Sequence, residues 1–438
     1  MNIILLIRIF EKSLFYTSFC ALYAIENVKV EKEIAGHGGT NGGWYAISSP
    51  MANEINNTYY NNLISSTADN YDLYYYNESK WYWYNFKEST NNFKYFNLGQ
   101  GYLYANSNDN TIISVGVPRM KNTVSVSVSN TTYTPSNNTQ DYNLKGFNLI
   151  GNPFTFDIGW DAISSNNILA DGYYTLGTDG TWTVKTSNSE PIKVGMGILV
   201  QANTSGTINI KDTPFIQTKQ IEQDSKRGMS VKESLAITVS NEKYTDVAYI
   251  NFSNDSENGL RKIAHMNEDI QMVYVPVKGV NYAIANVDEN ASEVPVSFET
   301  YVMGKYTISV KANNIHDEVY LLDKVTGEKI DILNEDYTFV TTSSGKADRF
   351  SLLFINNDEE DSDTTNPTFA YLNNGEIIIS DIEGSGNVKI YDVMGRLVIA
   401  RNEYGSAIIS TESLTNGLYI INLIDGDGIK TQKIAIKK

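Results

Sequence analysis

Asn387-Val388-Lys389-Ile390-Tyr391-Asp392-Val393-Met394-Gly395-Arg396-Leu397-Val398 is the stretch whose reading decides the fold. Val388 and Ile390 alternate with Lys389 and Tyr391, the period of a strand with one buried face. Gly395-Arg396 supplies a tight turn, and Leu397-Val398 opens a second strand. Gly417-Leu418-Tyr419 and the lysine-bearing end from Lys430 to Lys438 carry further strands. The expected core of this small β-domain is Val388, Ile390, Leu397, Tyr419, Ile421 and Leu423.

Outward from that stretch the same pattern continues. Residues 357–367, Asn-Asp-Glu-Glu-Asp-Ser-Asp-Thr-Thr-Asn-Pro, are too polar and acidic to pack and read as a linker. Before it, from residue 233 to 356, short runs rich in Val, Ile, Tyr and Phe alternate with turn residues, as in an antiparallel sandwich. Residues 215–232 are charged and read as a second linker. The fold class expected is therefore all-β, with multidomain antiparallel β-sandwiches and a small immunoglobulin-like β-sandwich at 368–438.

A repeat occupies 36–214. Gly43-Trp44-Tyr45-Ala46-Ile47-Ser48-Ser49-Pro50 answers to Gly146-Phe147-Asn148-Leu149-Ile150-Gly151-Asn152-Pro153. Gly99-Gln100-Gly101 answers to Gly195-Met196-Gly197, and Tyr74-Tyr75 with Trp81 to Tyr173-Tyr174 with Trp182. These ordered matches divide the segment into units 36–125 and 126–214, which are expected to share one core. The Gly-x-Gly pairs precede strands rather than helices, so they read as bends between close backbones and not as phosphate loops.

The chain has 438 residues with 51 acidic and 34 basic side chains, net -17, and such a surface repels nucleic-acid backbones. The single cysteine, Cys20, allows no intrachain disulfide. No apolar run reaches the length of about 20 residues that spans a bilayer as a helix. Arg8 and Lys12 ahead of Leu14–Ala24 suit a signal peptide cleaved near Ala24, and the alternative is that residues 1–25 are a remnant.

Catalytic chemistry is sparse. His37, His265 and His316 are scattered without ligand spacing, so structural roles are expected and no metal or other cofactor is called for. Asp255–Gly259 and Asp425–Gly428 lack the full pattern of a calcium loop and read as turns. Asp69, Asp72, Glu78 and Glu88 lie near Trp81 and Trp83, and a glycosidase would need two of them across a sugar, which spacing does not supply. The aromatics Tyr74, Tyr76, Trp81 and Trp83 are expected to pack across a hairpin. The rival reading takes Trp81 and Trp83 as an exposed platform for a glycan or a host-protein ligand. The body thus reads as non-enzymatic, an adhesin or stalk, with a carbohydrate-binding module as the alternative.

The C-terminal motifs, Ile390-Tyr391-Asp392 before Gly395-Arg396 and Leu414-x-x-Gly417-x-Tyr419 before Lys433, resemble the type A C-terminal sorting domain of type IX (Por) secretion in Bacteroidetes. The repeat and the sandwich before it are similar to the C-terminal portion of large Bacteroides-type surface proteins. The resemblance implies export to the outer surface through a type IX translocon, removal of the domain by a sortase-like peptidase, and attachment of the body to the cell. Tyr391, Asp392, Gly395, Arg396, Gly417, Tyr419 and Lys433 are the residues that carry it, with Arg396 and the late lysines offering charge to the machinery. Asp363-Thr364-Thr365 is similar to a short O-glycosylation motif of the same bacteria.

Overall fold

A computed structural model of the chain describes residues 4–9, 27–38, 42–56, 60–61, 63–64, 70–88, 93–118, 123–131, 144–164, 167–186, 190–216, 233–253, 259–315, 318–342, 344–355, 369–373, 375–392, 396–426 and 428–436. Almost every element is a strand. The cleavage point near Ala24 and the linker at 357–367 lie outside the described residues, as does all of 215–232 except its first two positions. The chain divides into two compact units, Met1–Asn357 and Asp358–Lys438.

Within the first unit, strands Tyr45–Ser48, Gly101–Asn106, Tyr71–Asn77 and Tyr82–Asn85 lie side by side in that order. Phe147–Gly151, Gly197–Gln201, Tyr173–Leu176 and Trp182–Lys185 form a second sheet in the corresponding order. The two sheets meet through reciprocal contacts. Ile47 bridges Met196 and Ile150 bridges Gln100. Ser48 N donates to Gly195 O at 3.1 Å, and Gly151 N donates to Gly99 O at 2.9 Å. Gly99 and Gly195 hold φ of +78° and +69°, in the left-handed region. A Cβ at Gly101 would stand 2.6 Å from Ile150 O, and one at Gly197 2.9 Å from Ile47 O. These glycines are where two backbones press together, which only hydrogen at Cα permits.

From Ser234 to Ile355 an eleven-stranded sheet curls over one core. Its path runs Glu328–Asp331, Glu318–Asp323, Gly345–Ile355, Glu293–Thr300, Met272–Val277, Val280–Val287, Thr245–Phe252, Ser234–Ser240, Gly304–Asn313 and Tyr337–Thr341, with Leu260–Arg261 beside Val280–Val287. Val319 and Leu321 near one end share a buried cluster with Tyr337 and Phe339 at the other. Thr245–Phe252 pairs parallel with Val280–Val287, a departure from the antiparallel expectation. Residues 36–214 and this sheet are not separate cores. Ala46, Tyr76, Phe147, Tyr174 and Trp182 are buried in one cluster with Leu260, Ile263, Ala283 and Ile284.

The second unit is a five-stranded antiparallel sheet, with Ala370–Asn373, Glu376–Asp392, Gly417–Asp425 and Gly428–Ile436 in order and Leu397–Ser410 also on Glu376–Asp392. Register shifts between Ile379, Ile382 and Ser385 let the 17-residue strand pair with Ala370–Asn373 before them and Gly417–Asp425 after. Ala370 N donates to Gln432 Oε1 at 3.0 Å, tying the first strand to the last. Ile377, Ile379, Val388, Ile390, Ala407, Ile409, Ile421 and Leu423 fill the core between them.

Candidate functional site

The residues singled out near the C-terminus form one corner of this small unit. Asp392 ends its strand and holds Arg396 through both its backbone and its side chain. Its N–H donates to Arg396 O at 3.0 Å. Its carboxylate accepts from Arg396 N at 2.9 Å and from Arg396 Nε at 2.7 Å. The Arg396 side chain is otherwise exposed, so its guanidinium is both a clasp and a surface charge. Gly395 lies outside the described residues.

Asp392 pairs in register with Tyr419, which brings the two motif segments together. Tyr419 is buried, and its hydroxyl donates to Thr415 O at 3.0 Å while accepting from Thr415 N at 3.1 Å. The ring packs in the core and the hydroxyl locks the turn leading into Gly417. On the opposite face Lys433 pairs with Ile420, Ile420 with Tyr391, and Tyr391 with Leu397. Lys433 is exposed, whereas Lys430 is tied to Asp425 at 3.3 Å.

One core assignment is corrected here. Leu397 is 53% exposed, because a register shift beside Ile390 and Tyr391 places it opposite Tyr391 on the outer face. Ile399 takes the place opposite Ile390, and Ala407 and Ile409 supply the core farther along the strand. The alternation Ile377, Ile379 was a readable signal for this part of the core that the motif stretch overshadowed.

The aromatic hairpin at 71–85 packs inward, and Trp81 and Trp83 do not form the exposed platform of the rival reading. Trp81 is only 6% exposed and holds φ of +49° just after the short helical turn Glu78–Lys80, which takes it off the strand. Trp83 is half-buried with its ring 4.9 Å from Tyr76, packed on the shared core. Tyr82, 39% exposed, is the open ring. The nearby carboxylates do not converge. Glu78 is buried and its Oε1 accepts from Thr131 N and Gly146 N at 2.9 Å each, while Asp72 pairs with Lys87 at 3.3 Å. Asp69, His316 and most of Asp255–Gly259 lie outside the described residues.

A second constellation had no sequence signal, because its members come from separate segments. Asp246, Lys262 and His265 are all buried, and the Lys262 ammonium contacts the Asp246 carboxylate directly. Burial pulls the Lys262 ammonium below its ordinary value against the opposing pull of Asp246. Burial alone would raise the Asp246 carboxyl, but Lys262 and His265 outweigh it and hold it below the usual carboxylate range. Among the described residues no group of three potential ligands gathers as a metal site, and no helix is long and apolar enough to cross a membrane.

Residues 366–437 match the family model described as secretion system C-terminal sorting domain. Comparison with curated proteins gives no match. The Asp392–Arg396 clasp, the buried Tyr419 and the outward row from Lys433 to Leu397 all fall within that match. The chain carries the C-terminal sorting domain of type IX secretion, a domain of Bacteroidetes, and with it an address to the cell surface or the extracellular space that engages the type IX machinery.

Proposed function

We propose that the body ahead of the sorting domain is a non-catalytic, stalk-like surface module built on a duplicated unit. The reciprocal contacts between the two four-stranded sheets carry this reading: equivalent glycines occupy equivalent places against equivalent partners. Such an interlock spends both aromatic hairpins on internal packing and leaves neither as an open groove. Glu78 supports the same view, since its carboxylate serves the backbone N–H groups of Thr131 and Gly146, in the half of the duplication that begins at 126. A rigid body with a strongly acidic surface holds itself off other acidic surfaces and stays dispersed.

The test is a titration of the five tryptophans' fluorescence with soluble polysaccharides and their oligosaccharides, using the whole chain. A flat response is expected across neutral and acidic glycans. A saturable change that is lost in Trp83→Ala would establish carbohydrate binding and overturn the stalk reading.

A further inference from the structure

We infer that Asp246 and Lys262 are joined by an intramolecular amide bond between the Asp246 Cγ and the Lys262 Nζ, a covalent cross-link inside the exported body. Both side chains are 3% exposed, and the Nζ is in direct contact with Oδ2. Asp246 lies on strand Thr245–Phe252, and Lys262 directly follows Leu260–Arg261. Both positions are held by backbone pairing: Asp246 opposite Val239, and Lys262 N donating to Asn281 O at 2.9 Å. The reacting groups therefore meet without a search, which raises the local concentration of amine at the carboxyl far above anything in solution.

His265 supplies what the carbonyl carbon needs. Its Nδ1 accepts from Trp182 N at 3.1 Å, which leaves the proton of the neutral ring on Nε2. Nε2 stands 3.4 Å from Asp246 Oδ1 and is 1% exposed. An N–H fixed there stabilises the negative charge that builds on Oδ1 as nitrogen adds. Val273 N donates to Oδ2 at 2.7 Å and keeps the carboxyl from rotating.

The step balances without oxidant, cofactor or activated group. One proton passes from the Lys262 ammonium to Oδ2, giving a neutral amine and a neutral carboxylic acid. The nitrogen lone pair forms the bond to Cγ. The Cγ–Oδ2 bond breaks, and Oδ2 leaves as water with the first proton and a second from Nζ. Oδ1 remains as the amide oxygen facing His265. A cavity of about 340 Å³ lined by Lys262 and His265, with Asn267, Tyr274 and Asn281, adjoins the pair and receives the water. The bond also removes two buried charges, whose desolvation is costly even when they are paired. A link between Asp246 and Lys262 ties Thr245–Phe252 covalently to the segment of Leu260–Arg261, and both of these strands pair with Val280–Val287.

The experiment is intact mass and peptide sequencing by mass spectrometry on the purified full chain, with folding verified by cooperative thermal unfolding. The expected result is a mass one water below that of the sequence, and a branched peptide joining the segments of Asp246 and Lys262. Lys262→Arg, which keeps the charge but not the nucleophile, is expected to recover the full mass. His265→Gln is expected to leave a mixture of linked and unlinked chains. Folded protein of full mass with separate Asp246 and Lys262 peptides would overturn the proposal, as would a missing water that maps to another pair.

Discussion

Gly101 and Gly417 both belong to motifs written around glycine, yet the structure asks different things of them. At Gly101 the strand Phe147–Gly151 lies so near that an added Cβ would stand 2.6 Å from Ile150 O and 2.8 Å from the Leu149 side chain. At Gly417 the nearest atom to such a Cβ is 3.9 Å away, an ordinary contact. Gly101→Ala is therefore expected to cost about 1–3 kcal/mol as the interface between repeats is forced apart. Gly417→Ala is expected to change stability by less than about 0.5 kcal/mol. Urea unfolding of the two variants beside the parent chain checks both, and equal losses would remove the interlock as the reason for glycine at 101. The spacing of glycines was legible in sequence. The atoms they make room for were not, because those atoms come from the other repeat.

At the scale of elements, the eleven-stranded sheet is held closed by a polar staple. Asp323 ends strand Glu318–Asp323 near one edge, and Tyr337 begins the strand at the other. The Tyr337 hydroxyl donates to Asp323 Oδ2 at 2.7 Å, and Arg349 Nε reaches both carboxylate oxygens at 2.8 and 2.9 Å. Burial works to raise the Asp323 carboxyl, but Arg349, Tyr337 and the Val325 N–H outweigh it and hold it below its ordinary value. A carboxyl lowered on folding adds stability above the ordinary aspartate range, and that stability is lost as pH falls through and below it. Asp323→Asn is expected to cost about 3 kcal/mol at neutral pH, because it leaves the Arg349 charge uncompensated in a mostly buried place. The gap between parent and variant should narrow as pH falls through and below the ordinary aspartate range, since protonation removes the carboxylate that Arg349 opposes. A gap in urea stability that persists unchanged in acid would assign the effect to packing alone. Strand positions were readable here from β-branched and aromatic runs, whereas which edges meet was not, since the staple's three residues come from three strands.

On the scale of the whole molecule, cooperativity should follow shared cores rather than the divisions drawn from polar segments. The repeat at 36–214 and the sheet from Ser234 onward bury Tyr174, Trp182, Ile263 and Ile284 in one cluster, while the sorting domain has a core of its own. Calorimetry is expected to resolve two transitions, one for the unit ending at Asn357 and one for Asp358–Lys438. Three transitions, with the repeat melting apart from the sheet, would show that the shared cluster does not couple them. The sequence by itself determined the strand-rich class and the sorting address, because each is written in local alternation or a contiguous motif. Tertiary structure decided which tryptophan is buried, where Leu397 faces, how the two four-stranded sheets lock and which distant charges meet at Asp246. Those depend on a left-handed residue, a register shift and approaches between segments far apart in the chain, none of which leaves a periodic trace in sequence.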